Sequence, residues 1–179
     1  MIEPLIEVHD DDRALATAVA GELLNRLADA QAAGRVPHIS LTGGTIAVKV
    51  HEEVARLAPS SGVDWDAVHV WFGDERFVAR DSADRNAGQA RAAFLDAVGV
   101  PDANIHEVPA TGEAADVDAA AAAYAAELEA HWPGRFDVMM LGVGPDGHVN
   151  SLFPRPPPAA RHRSHRRSHR LPQAPRRSA

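Results

Sequence analysis

Residues 136–154 read FDVMMLGVGPDGHVNSLFP, and this stretch sets the reading of the whole chain. Val138-Met139-Met140-Leu141 is an apolar run of strand length with no polar break, the pattern of a strand buried on both faces. The run stops at Gly142, and Gly144, Pro145 and Gly147 follow at once. Such a sequence neither extends a strand nor opens a helix. It predicts a tight loop whose backbone can approach a ligand. Asp146 and His148 sit on that loop. Imidazole is the side chain whose ordinary pKa lies nearest neutrality, so a histidine beside a carboxylate is a candidate for proton transfer.

Working outward, the chain alternates strand and helix signals. Residues 5–8 form a short strand candidate, and Asp10, Asp11 and Asp12 offer a helix N-cap and first-turn acids. Over 13–33, Leu15, Val19, Leu23, Leu24 and Leu27 recur at helical spacing, and Gly34 stops the helix. A strand at 38–41 leads into Thr42-Gly43-Gly44-Thr45 and a helix over 46–57. Strand, glycine turn and helix together aim free backbone N–H groups at an anion. This turn lacks both the dinucleotide fingerprint and the Gly-Lys-Ser/Thr nucleotide loop, so a monophosphate fits it better than a nucleotide. A strand at 68–72 ends in Gly73-Asp74-Glu75-Arg76. Helices over 86–97 and 113–132 follow, with a strand or extended link at 104–108 between them.

This order predicts an α/β fold, a Rossmann-like open parallel sheet with helices on both faces. The loops 42–45, 73–76 and 142–148 each follow the carboxyl end of a strand, the edge at which open α/β sheets bind ligands. Hydrophobic residues make up 45% of the 179 and there is no cysteine, so thiolate chemistry and disulfides play no part. No apolar run reaches membrane-spanning length. Eight of the 18 Lys+Arg lie in residues 155–179, which contain no acid. Residues 1–154 therefore hold 10 basic against 25 acidic residues, a balance of −15. An acidic body argues against nucleic-acid binding, and an anionic substrate needs a locally positive pocket. The expectation is a cytoplasmic protein with a small-molecule partner.

The string Gly142-Val143-Gly144-Pro145-Asp146-Gly147-His148, followed by Ser151-Leu152-Phe153-Pro154, resembles the signature of the 6-phosphogluconolactonases. Glucosamine-6-phosphate deaminases share the Asp-Gly-His core but continue into Ala-Phe-Asn-Glu-Pro. Thr42-Gly43-Gly44-Thr45 resembles the lactonases' Gly-Gly-Ser/Thr-Thr-Pro loop, with Ile46-Ala47 replacing its last pair. Trp71-Phe72-Gly73-Asp74-Glu75-Arg76 resembles their Trp-Gly-Asp-Glu-Arg motif, and Arg85-Asn86 stands where they carry Ser-Asn. The resemblance covers residues 4–154. It implies the fold shared by these lactonases and sugar-phosphate deaminases, and hydrolysis of 6-phosphoglucono-1,5-lactone with no metal and no organic cofactor. His148 is then the general base on water, and Asp146 and Asp74 belong to the catalytic set. Thr42, Gly43, Gly44, Thr45, Glu75, Arg76, Asn86, Gly144 and Gly147 bind the substrate. A deaminase-like sugar-phosphate enzyme and a non-catalytic remnant with a basic tail are the alternatives.

After Pro154 the composition changes to RPPPAARHRSHRRSHRLPQAPRRSA. By itself this reads as a disordered basic arm. The resemblance suggests a second origin. The lactonases continue well beyond Ser-Leu-Phe-Pro into a motif resembling Thr-Asp-Ser-Pro-Lys-Pro-Pro. One choice of codons for His169 to Pro175, CAC CGA CTC CCC CAA GCC CCC, read from the second base, encodes Thr-Asp-Ser-Pro-Lys-Pro, so the tail is compatible with a shifted frame. The tail is then an out-of-frame translation, the family's phosphate-holding lysine is lost, and the C-terminal elements of the sheet are missing. Sequencing the DNA across the codons for Pro154 to Pro158 checks this. A frame slip is expected there, whereas an intact frame with unrelated codons at 169–175 contradicts it.

Overall fold

The computed structural model describes residues 4–154. Four parallel strands form one sheet in the order β3-β2-β1-β4, with β1 His38–Leu41, β2 His69–Phe72, β3 Ile105–His106 and β4 Val138–Met139. β1 lies between β2 and β4, pairing Ile39 with both Val70 and Val138. All four of its residues are buried, as a central strand covered on both faces must be.

One face of the sheet carries Ile39, Leu41, Val70 and Phe72 into the main core. Two long helices close it. In α1 (Asp12–Ala32) the Asp11 carboxylate accepts the Ala14 N–H at 2.7 Å, and Ala16, Ala20, Leu23, Leu24, Leu27 and Ala30 form the buried stripe. α2 (Thr45–Leu57) buries Ala47, Val50, His51 and Val54. A third helical stretch runs from α3 (Asn86–Ala90) through a π-helical segment, Arg91–Leu95, into α4 (Asp96–Val98), which Gly99 ends at φ 78°. The helix expected over 86–97 is thus continuous but widened in the middle.

The other face presents Trp71 to α5 (Val117–His131), where Ala120 and Tyr124 pack on it. Asp116 caps α5 by accepting the Ala119 N–H. The Tyr124 hydroxyl accepts the Phe72 N–H at 2.9 Å and donates to the Phe72 carbonyl at 3.0 Å. It substitutes for a strand partner, because β3 pairs with β2 only at Val70 and Trp71. Helices therefore lie on both faces, as expected. α5 covers only part of its face. Between it and the β1–β4 side lies a groove of about 840 Å³, lined by Ser40, Tyr124, Leu128, Met139 and Leu141 among others.

Three expectations need correction. Residues 5–8 form no strand, and Leu5, Ile6 and Val8 are exposed, since none of the described strands runs beside them. Residues 138–141 are not buried on both faces. β4 is the edge strand and the groove opens beside it, so Met139 is 51% and Leu141 55% exposed. The link at 104–108 contributes only the two-residue β3. The basic tail and the shifted-frame reading, at residues 155–179, lie outside the described residues.

The interior contains histidines that the fold keeps neutral. His51 packs against Phe94 with ring centroids 5.0 Å apart, and neither ring nitrogen has a hydrogen-bond partner among the described residues. Burial pushes its pKa down to about 4. On the α5 face, His38 accepts the Trp71 indole N–H at 3.0 Å and stacks on His69, which bonds His106. Burial, then the neighbouring imidazoles, push His38 down to about 4, and burial lowers His69 and His106. An unfolded histidine titrates near 6.5, so between pH 6.5 and 4 the unfolded chain takes up protons that the fold refuses. Stability therefore falls as pH drops through that window, by on the order of 3 kcal/mol for His51 alone. Thermal melts from pH 7 to 4 should show a falling Tm, with a shallower fall for His51→Leu. A Tm indifferent to pH across that range contradicts this account.

Candidate active site

The loop after β4 is a small hairpin. Val143 and Val149 face each other as an antiparallel bridge, Gly144 N–H donates to the His148 carbonyl at 2.9 Å, and Asn150 N–H donates to the Gly142 carbonyl at 2.9 Å. Its tip is the turn Gly144-Pro145-Asp146-Gly147, closed by Gly147 N–H to the Gly144 carbonyl at 3.0 Å. A Cβ at 144 would stand 1.9 Å from His148 Cε1, so a side chain there would displace the imidazole. The imidazole lies in that space and stacks on Phe153 with centroids 4.6 Å apart. Asp146 Oδ1 accepts from His148 Nδ1 and also from the His148 backbone N–H at 3.3 Å. These bonds hold the Asp146 carboxyl below its ordinary pKa, the side-chain bond first. With Nδ1 donating to the carboxylate, Nε2 is the nitrogen left to accept a proton. The His148 side chain is 28% exposed, so water reaches it.

The loop after β1 meets this hairpin directly. Thr42 Oγ1 donates to Asn150 Oδ1 at 3.0 Å. Gly44 follows as the N-cap of α2 at φ 101°, a backbone that side chains rarely adopt. No side chain caps α2, so its first N–H groups stay available at this edge. Gly43 is glycine for a steric reason, because a Cβ would fall 1.8 Å from Asn86 Oδ1. Asn86 Nδ2 in turn donates to the Asp74 carbonyl at 2.9 Å, tying the β1 loop to the β2 loop. Asp74 Oδ2 accepts from Ser151 Oγ at 2.7 Å, which closes the circuit back to the hairpin.

The residues singled out in sequence take different roles here. Hydrogen bonds link Thr42 to Asn150, Ser151 to Asp74 and Asp74 to Asn86, and Gly43 packs against Asn86 to complete a ring of loops. Glu75 points inward. Its carboxylate accepts the Asn86 N–H at 2.8 Å and the Ala87 N–H at 2.9 Å, capping α3, with the buried Arg85 guanidinium 3.7 Å away. As placed, Glu75 orients a helix and offers no oxygen to a ligand, which departs from its expected binding role. Arg76 is exposed and has no ion pair among the described residues. Arg85 is 1% exposed and donates to the Val108 carbonyl at 2.7 Å, so it braces the wall behind the loops. The 840 Å³ groove touches Gly73, Asp74, Asn150 and Ser151, but its lining includes neither Gly43, Gly44, Arg76 nor His148. The groove therefore shares Gly73, Asp74, Asn150 and Ser151 with the ring of loops but does not extend to His148 or the glycine turn. No group of three or more His, Asp or Glu among the described residues is placed to hold a metal. Asn150, to which the sequence assigns no role, and Ser151, quoted only within the family signature, join the hairpin to the other loops. The available signal was Asn150 itself, a residue type suited to φ 50° directly after a glycine loop.

An open parallel sheet with an Asp–His pair and a glycine-turn helix start at its carboxyl edge defines the class, and comparison with known proteins gives the family. The family model for glucosamine-6-phosphate isomerases/6-phosphogluconolactonase matches residues 10–177, and the chain belongs to that family. It is 39% identical over 164 residues to a 6-phosphogluconolactonase of Streptomyces coelicolor, with 86% of this chain aligned to 62% of that protein. Against a 6-phosphogluconolactonase of Mycobacterium leprae it is 38% identical over 156 residues, 83% of this chain and 62% of the relative. The solved 6-phosphogluconolactonase of Trypanosoma brucei superposes with a TM-score of 0.73 at 26% identity, over 87% of this chain and 65% of that one. This chain therefore spans under two thirds of the length of these relatives.

The Gly43–Asn86 contact makes a direct test. Gly43→Ala is expected to cost about 1–3 kcal/mol in urea denaturation, since the new methyl must displace Asn86. A double-mutant cycle with Asn86→Ala should return a coupling of about 1 kcal/mol. Zero coupling contradicts the steric account.

Proposed function

We propose that this chain hydrolyses 6-phosphoglucono-1,5-lactone to 6-phosphogluconate, the oxidative pentose phosphate step, as a cytoplasmic enzyme with no nucleic-acid or membrane partner. The observation that carries the reading is the Asp146–His148 pair, held on a hairpin that is bonded to Thr42 beside the uncapped start of α2. Family membership and the lactonase relatives support the same substrate class.

In the proposed reaction, His148 Nε2 takes a proton from a water molecule as its oxygen attacks C1 of the lactone. Asp146 holds the imidazole by Nδ1 and stabilises the imidazolium that forms. The tetrahedral oxyanion collapses, the C1–O5 ring bond breaks, and His148 returns the proton to O5. Backbone N–H groups of Gly43, Gly44 and Thr45 at the α2 start hold the 6-phosphate, and Arg76 supplies the positive charge that the acidic body lacks. Asp74, bonded to Ser151 through Oδ2 and with its other oxygen buried, holds the His148 hairpin against the β2 loop. None of the described helices is long and apolar enough to cross a membrane.

The test is a continuous lactonase assay on the 179-residue chain and its His148→Ala variant. Turnover is expected to fall by about 10²–10⁴-fold with KM little changed. Equal turnover in the two proteins contradicts the assignment.

A further inference from the structure

One side chain touches all three loops of the site, and it is none of the residues assigned a chemical role. Asn150 Oδ1 accepts from Gly142 N–H at 2.7 Å, at the end of the β4 segment, and from Thr42 Oγ1 at 3.0 Å, just beyond β1. Asn150 Nδ2 lies against Gly73 at the end of β2, where a Cβ on that glycine would stand 2.7 Å from it. The residue's own N–H donates to the Gly142 carbonyl. The amide therefore closes the base of the hairpin that carries His148 and pins that base to the other two loops. Its backbone is committed to the task. Asn150 is the first central residue of a two-residue turn in which Val149 and Leu152 exchange both hydrogen bonds, and it sits at φ 50°. Among the described residues it is the one non-glycine in the left-handed region, where asparagine and aspartate are tolerated and β-branched or bulky residues are strained.

We propose that Asn150 is the positioning residue of the site, setting where His148 stands relative to the Thr42–Thr45 turn. The proposal rests on His148 being the general base. Within the hairpin, the imidazole is oriented by Asp146, Gly144 and Phe153, all of which move with it. Those contacts fix the ring on the hairpin and leave the hairpin's own placement open. Asn150 supplies that placement, seconded by the Ser151–Asp74 bond. A base misplaced by even 1 Å costs catalysis far more than binding, because the phosphate contacts lie on a different loop.

The experiment compares Asn150→Gly with Asn150→Asp in the full 179-residue chain. Glycine accepts the positive φ without strain but removes the amide, and aspartate keeps an acceptor oxygen and tolerates the same φ. With N150G, kcat is expected to fall 10–100-fold with KM within threefold, and the Gly142 amide should exchange with deuterium at least tenfold faster. N150D should restore the Gly142 protection and most of kcat. An unchanged Gly142 exchange rate in N150G overturns the proposal, as does a KM that rises in step with the fall in kcat. If the parent chain shows no turnover, the lactonase reading fails separately. Gly142 exchange in N150G and N150D then still decides whether Asn150 pins the hairpin.

Discussion

The structure depends on β1 being flanked by parallel partners on both sides. His38–Leu41 is buried throughout and hydrogen-bonded to β2 on one edge and to β4 on the other. Parallel pairing makes the three strands run the same way, so their carboxyl ends leave the sheet at one edge. Each strand is followed within three residues by a glycine, and the turns meet at that edge. Residues 42–44, 73–74 and 142–151 are separated by some thirty to seventy positions in the chain, yet Thr42, Asp74, Asn86, Asn150 and Ser151 form direct hydrogen bonds across them.

Chemistry at that edge follows from what each turn leaves unpaired. The α2 start keeps its backbone donors because Gly44, which has no side chain, occupies the cap position. His148 keeps one ring nitrogen because Asp146 takes the other. Arg76 keeps its guanidinium free of ion pairs among the described residues, while the neighbouring Arg80, Arg85 and Arg91 are all engaged with carboxylates. On the proposed reading, a positive group that is not neutralised lets a phosphorylated ligand approach a body with a balance of −15.

Much of this was legible in the sequence. The strand–glycine–helix order over 38–57 and the apolar run at 68–72 depend on local pattern, and the parallel sheet follows from them. Side-chain direction was less legible. Asp74, Glu75 and Arg76 are three adjacent charges in sequence, yet one bonds Ser151, one caps α3 and one faces solvent. Nothing in their order distinguishes these fates, which depend on a helix start eleven residues beyond Glu75 and on Ser151 in a distant hairpin. The strand expected at 5–8 and the double burial expected at 138–141 failed for a related reason. An apolar run records a preference for burial, and the partner that provides it lies elsewhere. Asn150 was passed over because its role depends on a turn geometry that only the folded hairpin defines.

The claim that these loops form one ligand site is tested most directly by adding 6-phosphogluconate to ¹⁵N-labelled protein and following the backbone amides. Gly43, Gly44, Thr45 and residues 142–150 should shift together along a single binding curve. Shifts confined to Tyr124, Leu128 and Met139 around the apolar groove, or no shifts at the three loops, would contradict the account.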